Sequence, residues 1–192
     1  TTAGFVRRLL EGKTSRPRAA AGFIAGAEVE TAPRELPPMV IDADGLKLLA
    51  RVPGWHEKLP RGAVLTPHPG EMAILTGQPV AEIQSDRIGA AAQYAREWGH
   101  VVVLKGAMTV IAAPDGRVRV VPVATSALAH AGTGDVLAGM VAGLRAQGAP
   151  PFEAASAAAW IHAQTGLLAA DEIGHPASVL AGDLINVLPE VL

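Results

Sequence analysis

Two kinds of hydrophobic pattern alternate along this chain. Met39-Val40-Ile41, Ala63-Val64-Leu65-Thr66 and Val101-Val102-Val103-Leu104 are short runs that are almost wholly apolar. A continuous apolar run bounded by turn-forming residues predicts a strand buried on both faces. Each run ends in polar residues: Asp42-Ala43-Asp44, then Pro67-His68-Pro69-Gly70-Glu71, then Lys105-Gly106. Between the runs, apolar residues recur every three or four positions, as on a half-buried helix. This spacing predicts helices over about 45–50, through Met72, Ile74 and Leu75, and over 80–98 with Ile83, Ile88, Ala91, Ala92 and Ala95 inward. Residues 109–112 and 118–123 flank Pro114-Asp115-Gly116, a hairpin signature.

The C-terminal third reads as helical. Val136, Leu137, Met140, Val141 and Leu144 share one face of a helix that should stop at Gly148. Gly139 and Gly143 lie four apart within it and predict a close packing contact. Residues 152–170 predict an Ala-rich helix with Trp160 and Ile161 inside, and Asp183 predicts the N-cap of a last helix. At the other end, residues 1–12 read as the end of a helix with Phe5, Leu9 and Leu10 on one side. A breaker, Thr14-Ser15-Arg16-Pro17-Arg18, follows; residues 19–38, with Phe23, Ile24 and Val29 scattered among small residues, read as a loop or a poorly determined strand. Buried strands alternating with helices predict an α/β fold: one domain with a mostly parallel sheet flanked by helices, legible from residue 39 onward.

In such sheets ligands bind beyond the carboxyl ends of the strands. Asp42, Asp44, His68 and Lys105 all fall there. The loop Gly132-Thr133-Gly134-Asp135 opens the 136–144 helix. Its glycines allow a tight turn that aims several N–H groups at one point, at the positive end of the helix dipole. Gly132, Thr133 and Gly134 are therefore candidates for an anion hole. A carboxylate at such a place is either a helix cap or a base for the group that meets the anion, and Asp135 is open to both readings. Asp44 is equally readable as a cap, His68 as a structural residue of a rigid loop, and Lys105 as a side chain reaching solvent or facing a phosphate. Their common position at strand ends favours chemistry at a phosphate, with Asp135 accepting a proton from an attacking hydroxyl and magnesium neutralising the phosphates.

Composition narrows the field. The 192 residues carry a net charge of -2, so there is no basic footprint for nucleic acid, and no cysteine, so no disulfide or thiolate metal site. Aromatic residues are 4%, too few for a base-stacking platform, and no uninterrupted apolar stretch approaches membrane-spanning length. A cytoplasmic location is the default expectation.

Val40-Ile41-Asp42-Ala43-Asp44-Gly45-Leu46, Leu65-Thr66-Pro67-His68-Pro69-Gly70-Glu71, Val103-Leu104-Lys105-Gly106 with Thr109-Val110-Ile111, and Ala131-Gly132-Thr133-Gly134-Asp135-Val136-Leu137-Ala138-Gly139 occur in this order. The series resembles the NAD(P)H-hydrate dehydratases of the ribokinase-like superfamily. The resemblance implies a ribokinase-like fold and a repair reaction on hydrated NADH and NADPH. The hydroxyl of the damaged ring is phosphorylated from ADP (or ATP), with Mg2+, and phosphate is eliminated. By matching motif, His68 and Asp135 would contact the hydrated cofactor. Lys105, Gly106, Ala107, Met108, Thr109 and Gly134 would line the adenine nucleotide. A homo-oligomer without nucleic-acid or membrane partners is expected. Lys47 stands where the family commonly has Asn, and His130-Ala131 where Thr-Gly is more usual. The family's N-terminal Gly-Pro-Gly-Leu-Gly-like loop does not occur in this sequence, so the chain is expected to be the C-terminal part of the domain with an incomplete substrate wall. Two other functions stay open: a small-molecule kinase of the same superfamily, and a nucleotide-binding remnant without turnover.

Overall fold

The computed structural model describes residues 2–10 and 36–192. The breaker at 14–18 and most of the 19–38 segment lie outside the described residues. Five strands form one sheet in the order β1 (Val40–Ile41), β2 (Val64–Leu65), β3 (Val101–Leu104), β4 (Val110–Ala112), β5 (Val118–Val120). β1, β2 and β3 run parallel, with Ile41 beside Leu65 and Leu65 beside Val102. β4 and β5 are antiparallel additions, Val103 facing Ile111 and Ile111 facing Arg119. The hairpin turns where Pro114-Asp115-Gly116 placed it: the Ala113 N–H donates to the Arg117 carbonyl at 2.9 Å, and the Asp115 carboxylate accepts from the Arg117 N–H at 3.1 Å. The result is the α/β sheet flanked by helices that the pattern predicts, with the hairpin making it mixed.

Strand β3 shows how the sheet is held. All four of its residues are buried, and they alternate between two cores. Val102 and Leu104 face one cluster with Leu46, Met72, Ile83, Ala91, Tyr94 and Trp98. Val101 and Val103 face the other, with Leu137, Val141, Phe152, Ala155 and Ala158. The first layer comprises α2 (Asp44–Leu49), α3 (Pro69–Thr76), α4 (Val80–Ser85) and α5 (Arg87–Trp98), with α1 (Thr2–Leu10) at its margin. The second comprises α6 (Thr133–Ala146) and the 23-residue α7 (Pro151–Ile173), against which α8 (Ala181–Val191) packs through a smaller cluster.

Several local expectations are corrected. The 80–98 segment is two helices, because Asp86 leaves helical geometry (φ -141°) and its carboxylate caps α5 by accepting from the Gly89 N–H at 2.8 Å. Ile88 and Phe5 are exposed, at 52% and 58%. Trp160 is half exposed, and α7 instead buries its small residues Ala154, Ala155, Ala158, Ala159 and Ala163. Gly139 and Gly143 face open space and mark no close contact. Asp183 is the third residue of α8, accepting from the Leu180 N–H at 2.8 Å, so that helix begins earlier than expected.

The aromatic residues of the first core give a test. Trp98 stacks edge-on against Trp55 with ring centres 5.0 Å apart and lies 4.9 Å from Tyr94. Trp98→Ala should destabilise the fold by about 3–5 kcal/mol, whereas Trp160→Ala should stay within about 0.5 kcal/mol. Urea unfolding of the two variants measures the contrast.

Candidate nucleotide site at the carboxyl edge of the sheet

The carboxyl ends of the parallel strands converge on one ammonium group. Lys105 follows β3, and its N–H extends the parallel ladder to the Pro67 carbonyl at 2.8 Å. Its Nζ lies 2.5 Å from Asp42 Oδ1, at the end of β1, and 3.7 Å from Glu71 Oε2, in the first turn of α3. The three side chains are only 17%, 11% and 5% exposed. Asp44 is not part of this cluster. It is the first residue of α2, 87% exposed, and pairs with Lys47 at 2.9 Å.

His68 reaches the cluster through Glu71. The expected rigid loop is the start of a helix: Pro69 is the first residue of α3, and His68 is the cap. The Nδ1 of His68 accepts from the Gly70 and Glu71 N–H groups at 3.0 and 3.3 Å, while Glu71 Oε2 accepts from the His68 N–H at 2.9 Å. With Nδ1 accepting, a neutral ring carries its proton on Nε2, which lies 3.4 Å from Glu71 Oε1. The ring is half exposed and keeps that edge for other contacts.

A cavity of about 480 Å³ opens beside Lys105. Its walls are Lys105, Gly106, Ala107 and Thr109 after β3, Val123 and Ala124 after β5, a 3-10 turn at Ser126–Leu128, and Thr133, Gly134 and Leu137 of α6. A Cβ on Gly134 would lie 3.4 Å from Lys105 Nζ, so the lysine and the start of α6 are neighbours. Gly132 caps α6 with φ +88°, a conformation that favours glycine, and Asp135 is the third helical residue, not the cap. Its carboxylate is exposed and forms no ion pair among the described residues. Met108 has φ +54° and its side chain lines a separate depression with Arg87 and Ile88.

Three residues escaped the sequence reading. Glu71, given no role of its own in the sequence, is the second carboxylate on Lys105. Arg87 Nη2 donates to the Leu104 and Lys105 carbonyls at 3.0 and 3.2 Å and fixes the strand end; Gly106 (φ +144°) leaves room there, since a Cβ would meet Arg87 Nη2 at 3.1 Å. His162, in the middle of α7, lines the cavity, and its Nε2 donates to the Thr133 carbonyl at 2.8 Å. Burial pushes its imidazole down to about 4, against the Thr133 hydrogen bond and with a smaller contribution from the Lys105 ammonium.

An open helix N-terminus, an adjoining ammonium and an elongated, partly apolar cavity together suit a ligand with an anionic end. The surrounding charge is not simply positive. Lys105 is already engaged by two carboxylates, and Asp135, which is exposed and is not one of the cavity walls, adds a negative group one residue beyond Gly134.

Comparison with known proteins gives this geometry a context. Residues 19–190 match the profile of the NAD(P)H-hydrate dehydratase family. The chain is 50% identical over 167 residues to the bifunctional NAD(P)H-hydrate repair enzyme Nnr of Moorella thermoacetica, covering 85% of this chain and 31% of that protein. It is 41% identical over 170 residues to the ADP-dependent (S)-NAD(P)H-hydrate dehydratase of Neisseria meningitidis, covering 87% of this chain and 56% of that one. The fold resembles that of the ADP/ATP-dependent NAD(P)H-hydrate dehydratase of Bacillus subtilis, co-crystallised with ATP/Mg2+, with TM-score 0.71 and 39% identity over 80% of this chain and 53% of that one. The chain thus spans from about a third to just over half the length of these relatives.

Two predictions follow from the buried charges. Lys105→Met leaves two carboxylates without their cation and should cost about 3–5 kcal/mol in chemical unfolding, part of it recovered by adding Asp42→Asn. For His162 the folded state holds protons less tightly than the unfolded chain, so the unfolded state takes up more protons between about pH 6.5 and 4. Stability should be fully present above pH 6.5 and fall by roughly 3 kcal/mol as the pH drops to about 4. His100 is displaced in the same direction by burial, so the His162 share is the difference between the native pH profile and that of His162→Gln.

Proposed function

The chain belongs to the NAD(P)H-hydrate dehydratase family, and we propose that it supplies the adenine-nucleotide side of a site that restores hydrated NADH and NADPH with consumption of ADP. The observation that carries this reading is the single cavity joining the turn after β3 to the open N-terminus of α6. Lys105, Gly106, Ala107 and Thr109 form one wall for the nucleotide, and the Gly134 N–H at the open end of α6 meets its phosphates, with Gly132 shaping the turn; the Thr133 N–H, expected in the same anion hole, is instead donated to the His130 carbonyl at 3.3 Å. Met108, expected in the same segment, is not one of the cavity walls: its N–H donates to the Val123 carbonyl at 3.0 Å and the residue lines the separate depression with Arg87. His68, with Nδ1 committed to α3, meets the hydrated cofactor through its Nε2 edge.

In the proposed reaction the terminal phosphoryl group of ADP passes to the hydroxyl of the hydrated nicotinamide ring. The Asp135 carboxylate, which pairs with no cation among the described residues, takes the hydroxyl proton as the new P–O bond forms. Fixed N–H groups at the start of α6 bear the charge that develops on the transferring group. The phosphate then leaves with the C–O electron pair, a ring proton is lost, and the double bond returns. The products are NAD(P)H, AMP and phosphate.

Magnesium fits this arrangement as a companion of the nucleotide. Among the described residues no group of three or more potential ligands gathers. A nucleotide-bound Mg2+ needs only one or two carboxylates, and Asp42, whose Oδ2 would lie 3.9 Å from a Cβ on Gly134, offers a hard oxygen donor next to the cavity wall. When bound, the ion supplies the positive charge that the three local carboxylates otherwise withhold from the phosphates.

Incubation with hydrated NADH and ADP, followed by NADH absorbance, tests the reading. ADP-dependent formation of NADH is expected. Accumulation of a stable phosphorylated alcohol from another substrate would identify a kinase, and ADP binding without any product would identify a binding remnant. Asp135→Asn should lower turnover by about a hundred- to ten-thousand-fold while melting temperature and ADP affinity stay near native, since Asn keeps the shape but accepts no proton. Activity above about a tenth of native would remove Asp135 from the base role.

A further inference from the structure

We propose that His162 is a positioning residue, which fixes the direction of the Gly134 N–H by holding the other end of the same peptide group. The inference rests on the reading of the cavity as a nucleotide site. His162 is 7% exposed in a helix that otherwise buries mostly alanine on this face. A polar ring in such a place needs a partner, and the Thr133 carbonyl is the one it has. A carbonyl only accepts, so Nε2 carries the proton, and the ring is neutral because burial disfavours the charged form.

The geometry of the peptide group makes this contact specific. The Thr133 carbonyl and the Gly134 N–H share one planar trans unit and point in opposite directions. Fixing the carbonyl against α7 therefore fixes the N–H toward the open end of α6. Thr133 is held from its other side as well: its hydroxyl lies 2.8 Å from both the Leu128 and the His130 carbonyls. One turn further along α7, Gly166 receives the side chain of Leu128; a Cβ there would stand 2.6 Å from Leu128 Cδ2. Residues four apart lie on one face of a helix, so a single face of α7 grips both Leu128 and Thr133, two walls of the cavity. A histidine retained only to fill space would not need its donor directed at the peptide that presents the anion-binding amide.

The test compares His162→Gln, whose amide N–H can reach where Nε2 does, with His162→Leu, which fills similar space without a donor. Calorimetry with ADP and Mg2+ should give near-native affinity for the Gln variant and a loss of roughly three- to tenfold for the Leu variant, the worth of one hydrogen bond. Native affinity in a folded Leu variant, or equal losses in both, would overturn the inference. If the Leu variant does not fold, nitrogen NMR of the native imidazole decides. A ring protonated at Nε2 whose signals move when ADP is added is expected, and one protonated at Nδ1 or indifferent to ADP overturns the role. If the native protein binds no ADP, the nucleotide reading itself fails. Amide exchange at Leu137, whose helical partner is the Thr133 carbonyl, then judges the positioning alone: faster exchange in Leu than in Gln and native supports it, and equal rates reject it.

Discussion

The arrangement depends first on the ammonium of Lys105. Three chain segments end at it: β1 through Asp42, the start of α3 through Glu71, and β3 through Lys105 itself. Parallel strands end with unpaired polar groups at one edge, and that edge is otherwise free to splay. An ion cluster across it ties the strand ends together at a distance the sheet hydrogen bonds do not reach. The cluster also sets the electrical character of the cavity, because a lysine already shared by two carboxylates has little charge left for a third anion. In the proposed function, the amides at the start of α6 and cations brought by the ligand would then have the larger part in holding phosphate.

Much of this edge was legible in the sequence. The runs at 40–41, 64–65 and 101–104 are apolar on both faces, which only a doubly covered strand requires, and the rule that ligands lie past strand ends placed Asp42, His68 and Lys105 together, though it also included Asp44, which pairs with Lys47 outside the cluster. The Pro-Asp-Gly turn disclosed the antiparallel hairpin. What was not legible depended on partners distant in the chain. Glu71 has the spacing of a helix-start acid, and nothing local says that Lys105 lies above it. Arg87 bonds to backbone carbonyls, which leave no trace in residue type. His162 sits inside an alanine run, and its partner is a backbone carbonyl 29 positions away.

The misplaced hydrophobic residues share a cause. Phe5, Ile88 and Trp160 were assigned inward because they are large and apolar, but a folded surface always includes such residues. Beyond Phe152, most of the α7 residues buried against the sheet are small: Ala155, Ala158, Ala159 and Ala163. The alanines mark the buried face, and the tryptophan is displaced outward. The two glycines of α6 were misread for the related reason that a small residue signals a close neighbour only where a neighbour exists.

The sheet also implies an order of assembly. The antiparallel pairings join residues that are close in the chain, Leu104 with Val110 and Ala112 with Val118. The parallel ones join Val40 with Val64 and Val64 with Val101, and the Asp42–Lys105 pair closes a separation of 63 residues. Local pairings incur little loop-closure entropy and form early; distant ones wait for the chain to collapse. The β3–β5 meander is thus the natural nucleus, and the charged edge on which the cavity depends is among the last contacts made. Mutations at Asp42 would speed unfolding and leave the folding rate nearly untouched, whereas mutations in the hairpin would slow folding itself.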